Sequence, residues 1–249
     1  MRPLQPTRGR GIKSWNYTSN KDEPIKLTMH DFSDLLYRSK QLEDLVFDLL
    51  NLDEYLPTPS TANCEASVHL SLISIEHSCG LRELVPGGFY TPAISLMRLQ
   101  FEALVRATWT MWGATDADIQ RLRAPLTSVT EKDASKLPNV GEMLKRAAAG
   151  APSGLVDQLS GFKVASVPAL NSFVHGGIHA LSRRFTGYPA PLVDQVVRQS
   201  NALMTMAGML LAVLSGEDDV REEMSLIQRP FADCLPALVS SETVGTSST

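Results

Sequence analysis

The sequence predicts an all-α protein, a bundle of four to five long helices with a short helical insertion, on three observations. Apolar residues recur at three- and four-residue steps along most of the chain, the period of a half-buried helix. No segment alternates apolar and polar residues over the length of a strand. Proline and glycine gather mainly between the periodic stretches, where they punctuate rather than interrupt. With 249 residues, 43% of them hydrophobic and 20% charged, the chain can bury one sizeable core.

Residues 1–27 carry Pro, Gly, Asn and charge without periodicity, and the last dozen residues are mostly Ser, Thr and Gly. The expected organisation is a flexible N-terminal segment at 1–27, one helical domain at 28–230 and a flexible tail at 231–249. Thr28-Met29-His30-Asp31 reads as a capping-box-like start, and Phe32, Leu35, Leu36, Leu42, Leu45, Val46 and Leu49 continue a helix to about Leu52. Pro57 and Pro59 separate it from a second helix at about Thr61–Leu84, whose apolar side holds Val68, Leu72, Ile75, Cys79 and Leu81. Pro86-Gly87-Gly88 ends that helix. A third begins at Pro92, a residue suited to a first turn, and runs through Trp112 to Gly113.

Asp116–Leu126 and Val140–Ala149 are shorter helical stretches flanked by prolines and glycines, and they form the expected insertion, about 114–160. A fourth long helix is expected over Val164–Phe185, its regular part starting at Pro168. Gly187-Tyr188-Pro189-Ala190-Pro191 turns the chain into a last long helix, Leu192–Leu214, closed by Gly216. A short helix at Asp218–Ile227 stops near Pro230.

Composition excludes several function classes. A net charge of −4 argues against a surface given over to nucleic-acid backbone, although a local basic cleft is compatible with it. Cys64, Cys79 and Cys234 are odd in number and lack CxxC spacing, so neither a disulfide framework nor a cysteine zinc site is expected, and a cytoplasmic location is. The basic N-terminus is followed by no apolar signal core. The longest apolar run, Leu203–Leu214, is too short to cross a bilayer of about 30 Å, so no membrane is expected as a partner. No GxGxxG, GxxxxGK[ST] or GxSxG occurs, and no cofactor is expected.

The most informative stretch runs from Asn171 to Arg184. Read as one continuous helix, it aligns Asn171, His175, His179 and Arg183 in a single stripe, with Gly176 and Gly177 beside it. Imidazoles are the side chains whose unperturbed titration falls near neutral pH, so a stripe with two of them suits acid–base chemistry. The glycines cost about 1 kcal/mol each in a helix interior relative to alanine, a local conflict that calls for a functional or packing return. The alternative reading makes both histidines hydrogen-bonded structural residues and the glycines a close helix approach. On the third helix Arg98, Glu102 and Arg106 also stand four apart. They form either an ion-pair ladder on the wet face, or a polar wall with Arg98 holding an anion and Glu102 orienting a partner. Two histidines four apart are similar to a zincin helix, but Gly176 stands where the glutamate belongs. Glu65, His69, Glu76 and His77 on the second helix lack the Glu-x-x-His spacing of a carboxylate metal bundle, and no metal is expected.

The Arg98-x-x-x-Glu102 helix, the Asn171-Ser172-Phe173-Val174-His175-Gly176-Gly177 helix and the Ser200-Asn201 helix resemble a family of uncharacterised bacterial all-helical proteins over roughly residues 30–215. More distantly, a polar residue four before a late histidine is similar to the HEPN superfamily, whose members include metal-independent RNA-cleaving toxins and defence nucleases acting as dimers. That motif has an Arg, a polar residue, three positions and His. Asn171 and His175 match its last two elements, and Leu170 stands at the Arg position. The resemblance implies a HEPN-like protein of conflict or toxin–antitoxin type, a homodimer acting on RNA without a metal. His175, Asn171, Arg98 and Glu102 would then be catalytic, with His179 and Arg183 holding substrate. The reading from another class is a non-catalytic helical module whose partner is a protein. The two are separated by whether Arg98, Glu102, Asn171 and His175 converge.

Overall fold

In the computed structural model, residues 32–52 and 54–237 are described, and their regular structure is helical throughout. Five long helices build the bundle: α1 (Ser33–Leu50), α2 (Ala62–Leu84), α3 (Tyr90–Trp112), α7 (Ser153–Val174) and α9 (Ala190–Ser215). Between α3 and α7 lie α4 (Asp116–Arg123), α5 (Ser128–Ala134) and α6 (Val140–Ala147). The short α8 (Ile178–Thr186) precedes α9, and α10 (Asp218–Leu226) follows it.

Contacts fix the directions. Ser67 and Ser74 on α2 donate to the carbonyls of Ala107 and Gln100 on α3, at 2.9 and 3.0 Å, so those helices run antiparallel. Phe101 on α3 stacks on Phe162 of α7 at 4.9 Å, and Arg98 reaches Asn171 further along, so α7 is antiparallel to α3. Ser39 meets Asn201 and Val46 lies beside Gly208, which makes α1 parallel to α9. One end of the bundle therefore gathers the starts of α1, α3 and α9 with the end of α7 and with α8. The candidate site lies at that end.

The core runs the full length of the bundle. Leu42, Phe101, Leu104, Trp109, Leu159, Met204 and Leu211 are fully buried, and each such side chain contributes roughly 1.5–3 kcal/mol by leaving water. Through this core runs a polar seam. Ser78 meets Ser200 at 3.0 Å, Ser200 donates to the Gln100 side-chain oxygen at 2.7 Å, and Gln100 donates back to the Ser200 carbonyl at 2.9 Å. The mutual satisfaction offsets the cost of burying these groups.

Several expectations are corrected. The capping sequence Thr28–Asp31 lies outside the described residues; helix α1 begins at Ser33, with Phe32 buried at its N-cap. Thr61 caps α2 through its hydroxyl as its position suggests, but the buried face of α2 carries Ser67, Ser71, Ser74 and Ser78 as well as Val68, Ile75 and Leu81. Leu72 and Cys79 are only half-buried. The expected insertion to about residue 160 ends earlier, because α7 already begins at Ser153. Helix α6 belongs to the core, with Met143, Leu144 and Ala147 buried and Gly113 so close that a Cβ there would lie 2.6 Å from the Ala147 nitrogen. The flexible tail expected from 231 is corrected over 231–237. Phe231, Cys234 and Leu235 are buried, and Asn201 donates to the Cys234 carbonyl at 2.8 Å. Residues 1–27 and 238–249 lie outside the described residues.

Helix α9, Ala190–Ser215, covers the expected Leu192–Leu214 and is closed by Gly216. Among the described residues it is the one helix long and apolar enough to cross a membrane, yet 67% of its most apolar stretch is buried inside the bundle, as in a core helix.

Candidate functional site

The stripe of four polar residues is not continuous. Helix α7 ends at Val174 with His175 as its C-cap, and Gly176 takes a left-handed backbone at φ +64°. The Gly177 N–H then donates back to the Ser172 carbonyl at 2.6 Å, which closes the helix end and is why a glycine at 176 terminates it. Ser172 does further work at the elbow: its hydroxyl accepts the His179 N–H at 2.8 Å and so caps the start of α8. A Cβ on Gly177 would fall 2.6 Å from that hydroxyl, so the second glycine admits the cap. Nothing lies within 4 Å of a Cβ on Gly176, so no helix of the same chain packs against it, contrary to the close helix approach expected of both glycines.

Three of the expected site residues converge. Arg98 on α3 donates from Nε to the Asn171 Oδ1 of α7 at 2.8 Å and pairs through Nη2 with Glu102 at 2.7 Å. Its third nitrogen, Nη1, is buried and has no partner. Two helices 73 residues apart in sequence thus meet through their polar faces. His175 lies one turn beyond Asn171, its N–H donating to the Asn171 carbonyl at 3.1 Å, with its side chain exposed. Among the described residues no side-chain hydrogen bond or ion pair joins His175 to Arg98 or Glu102; His175 follows Asn171 by one helical turn. His179 and Arg183 are carried away on α8 and do not extend the stripe. Arg106 makes no ion pair with Glu102 among the described residues.

The elbow is braced from behind. Tyr188, just past α8, packs against Tyr90 at 5.2 Å and Phe173 at 6.4 Å, and its hydroxyl meets Thr91 at 2.5 Å. Its charge is one-sided: from Gln158 to Val193 the chain has no Asp or Glu but carries Lys163, Arg183 and Arg184 with both histidines. Helix α8 buries Ala180, and at a hundred degrees per residue it turns Ile178, Leu181 and Phe185 outward, 76%, 53% and 65% exposed.

Sequence reading missed a second polar cluster. Glu43 on α1 and Arg82 on α2, 5% and 6% exposed, form a buried ion pair. Glu43 also accepts from Lys40 at 2.7 Å and from the Cys79 thiol at 2.8 Å. Burial lowers the Arg82 pKa from the ordinary guanidinium range and raises that of Cys79. The residues are remote in sequence, and no local pattern announces them. Of the second-helix candidates, Glu65 pairs with Arg123 at 2.8 Å, His69 is exposed, and burial lowers the pKa of His77 while Glu76 opposes it. Among the described residues no group of three or more His, Cys, Asp and Glu gathers as a metal site.

Residues 71–237 match DUF6988, described as a family of unknown function. No curated protein and no solved structure matches the chain. The match spans well over half of the 249 residues and contains Arg98, Glu102, Asn171 and His175, so the chain belongs to the DUF6988 family.

Proposed function

We propose that this end of the bundle binds RNA and cleaves it without a metal, in the manner of HEPN-like proteins of conflict or toxin–antitoxin systems. The observation that carries the reading is the Arg98–Asn171 hydrogen bond, which ties an anion-binding side chain from α3 to the turn that bears His175. Arg98 is held from two sides, and one guanidinium nitrogen has no protein partner. The acid-free run 158–193, which carries Asn171 and His175, favours a polyanion locally although Glu102 pairs with Arg98 and the whole chain is acidic.

In this mechanism the exposed His175 imidazole takes the proton of a ribose 2′-hydroxyl. The 2′-oxygen attacks the adjacent phosphorus, the bond to the 5′-oxygen breaks, and the leaving oxygen takes a proton from water. Arg98 stabilises the charge that builds on the phosphoryl oxygens, Asn171 and Glu102 fix Arg98, and His179 and Arg183 contact the flanking strand. The product strands end in a 2′,3′-cyclic phosphate and a 5′-hydroxyl. Incubating purified protein with end-labelled RNA, with and without chelator, tests this. Cleavage that survives chelation and leaves those ends is expected, and intact RNA across pH 6 to 8 overturns it.

A second reading, a non-catalytic module that docks on protein, is favoured by the exposed stripe Ile178, Leu181 and Phe185. A second copy of the chain is the occupant this reading takes, since a two-fold axis at α8 would lay one stripe on the other. Sedimentation across concentration decides it. A dimer lost in Leu181→Glu/Phe185→Glu is expected, and a monomer at all concentrations refutes it.

A further inference from the structure

At the other end of the bundle, α6 and α7 leave a cleft of about 300 Å³ between them, lined by Gly141, Leu144, Lys145, Ala148, Val156, Ser160, Lys163 and Val164. That volume is at the small end of what ligand sites hold. Leu144 and Val156 make a buried apolar floor, and Val164 stands 80% exposed at the rim.

Lys145, exposed in the last turn of α6, and Lys163 of α7 both line this cleft. Lys145 and Lys163 make no ion pair or hydrogen bond among the described residues, whereas the neighbouring Arg146 is engaged with Glu142 at 3.0 Å and approaches Asp118. Lys163 lies over the start of α6, where a Cβ on Gly141 would fall 2.8 Å from its Nζ. The glycine makes room for a cation at the positive end of a helix, an arrangement that is electrostatically unfavourable until an anion joins it. Asn139 caps only the Glu142 N–H through its side chain and the Met143 N–H through its carbonyl. The Val140 and Gly141 N–H groups of the first turn have no hydrogen-bond partner among the described residues.

We propose that this cleft binds a carboxylate carrying a short aliphatic chain. The carboxylate sits between Lys145 and Lys163 at the start of α6, and the chain lies along Leu144, Ala148, Val156 and Val164. At roughly 30 Å³ for each water-sized group, the space takes about ten non-hydrogen atoms, the size of octanoate. The cleft lies between α6 and the first half of α7 and shares no residue with the Arg98, Glu102 and Asn171 cluster, so its test does not depend on nuclease activity.

Calorimetric titration of the full chain with octanoate, acetate and octyltrimethylammonium tests the proposal. Saturable one-site binding of octanoate is expected, with a Kd of about 1 mM or below, and neither acetate nor the cation should bind measurably. Lys145→Gln/Lys163→Gln, two surface changes that leave the core intact, should weaken octanoate at least tenfold, and Gly141→Leu should block it by filling the cleft. Absence of octanoate binding, equal binding of the cation, or undiminished binding by the lysine double variant overturns the proposal.

Discussion

Replacing Glu43 by alanine should be among the most damaging single changes on the described surface between α1 and α2. Arg82 is 6% exposed, and among the described residues Glu43 is its only ion-pair partner, with Nε and Nη1 already unpartnered. Without Glu43 the whole guanidinium is buried without an ion-pair partner, with only the longer-range pull of Glu83 favouring its charge, and Cys79 loses its acceptor. Breaking a buried pair in this way costs about 3–5 kcal/mol. At roughly 2–4 °C per kcal/mol for a protein of this size, melting should fall by about 6–20 °C. The converse change, Arg82→Met, should cost less, because Glu43 keeps Lys40 and the Cys79 thiol. The double change Glu43→Met/Arg82→Met should recover most of the loss. Urea unfolding of the three variants reads all of this. A Glu43→Ala cost under about 1 kcal/mol, or an Arg82→Met cost exceeding it, refutes the reasoning.

Asn201→Leu should cost about 1–3 kcal/mol by stranding the Cys234 carbonyl, and limited proteolysis should then cut near 231–237 first. Gly176→Ala should destabilise by about 1–2 kcal/mol despite open space around it, because its φ is +64°, and Gly177→Ala by about 0.5–2 through loss of the Ser172 cap; thermal melts compare them. Burial raises the Asp118 pKa, but the Thr115 hydroxyl and N–H, with Arg146 and Arg121, more than offset this and hold it below the usual carboxylate range. A depressed folded pKa gives stability that is present at neutral pH and lost as pH falls through about 4 and below. Asp118→Asn should therefore flatten the acid side of the stability profile.

The long helices were legible because period and punctuation agree in them: Thr61 and Gly216 stand where α2 begins and α9 ends. The elbow was misread although its signal was present, since glycine directly after a helix end is the commonest left-handed cap and the four-residue spacing of the histidines masked it. The α2 serines were hidden for another reason. They are small enough to pack beside Val68, Ile75 and Leu81, and Ser67 and Ser74 bond to α3 carbonyls, so hydrophobicity alone shows only part of the buried face. Arg98 and Asn171 were each visible as polar residues in apolar helices, but their meeting depends on α7 running antiparallel to α3. The Glu43–Arg82 pair and the docking of Phe231, Cys234 and Leu235 depend on packing between distant segments, which no local pattern encodes.

The measurement that bears most directly on the site is the single-turnover cleavage rate of chelated RNA by wild-type protein and by His175→Ala, with melting followed in parallel. His175 is exposed, so the variant should melt like the wild type while the rate falls about a hundred- to ten-thousand-fold. Equal rates in the two proteins, or a variant that loses activity only because it unfolds, would contradict the assignment of His175 as the general base.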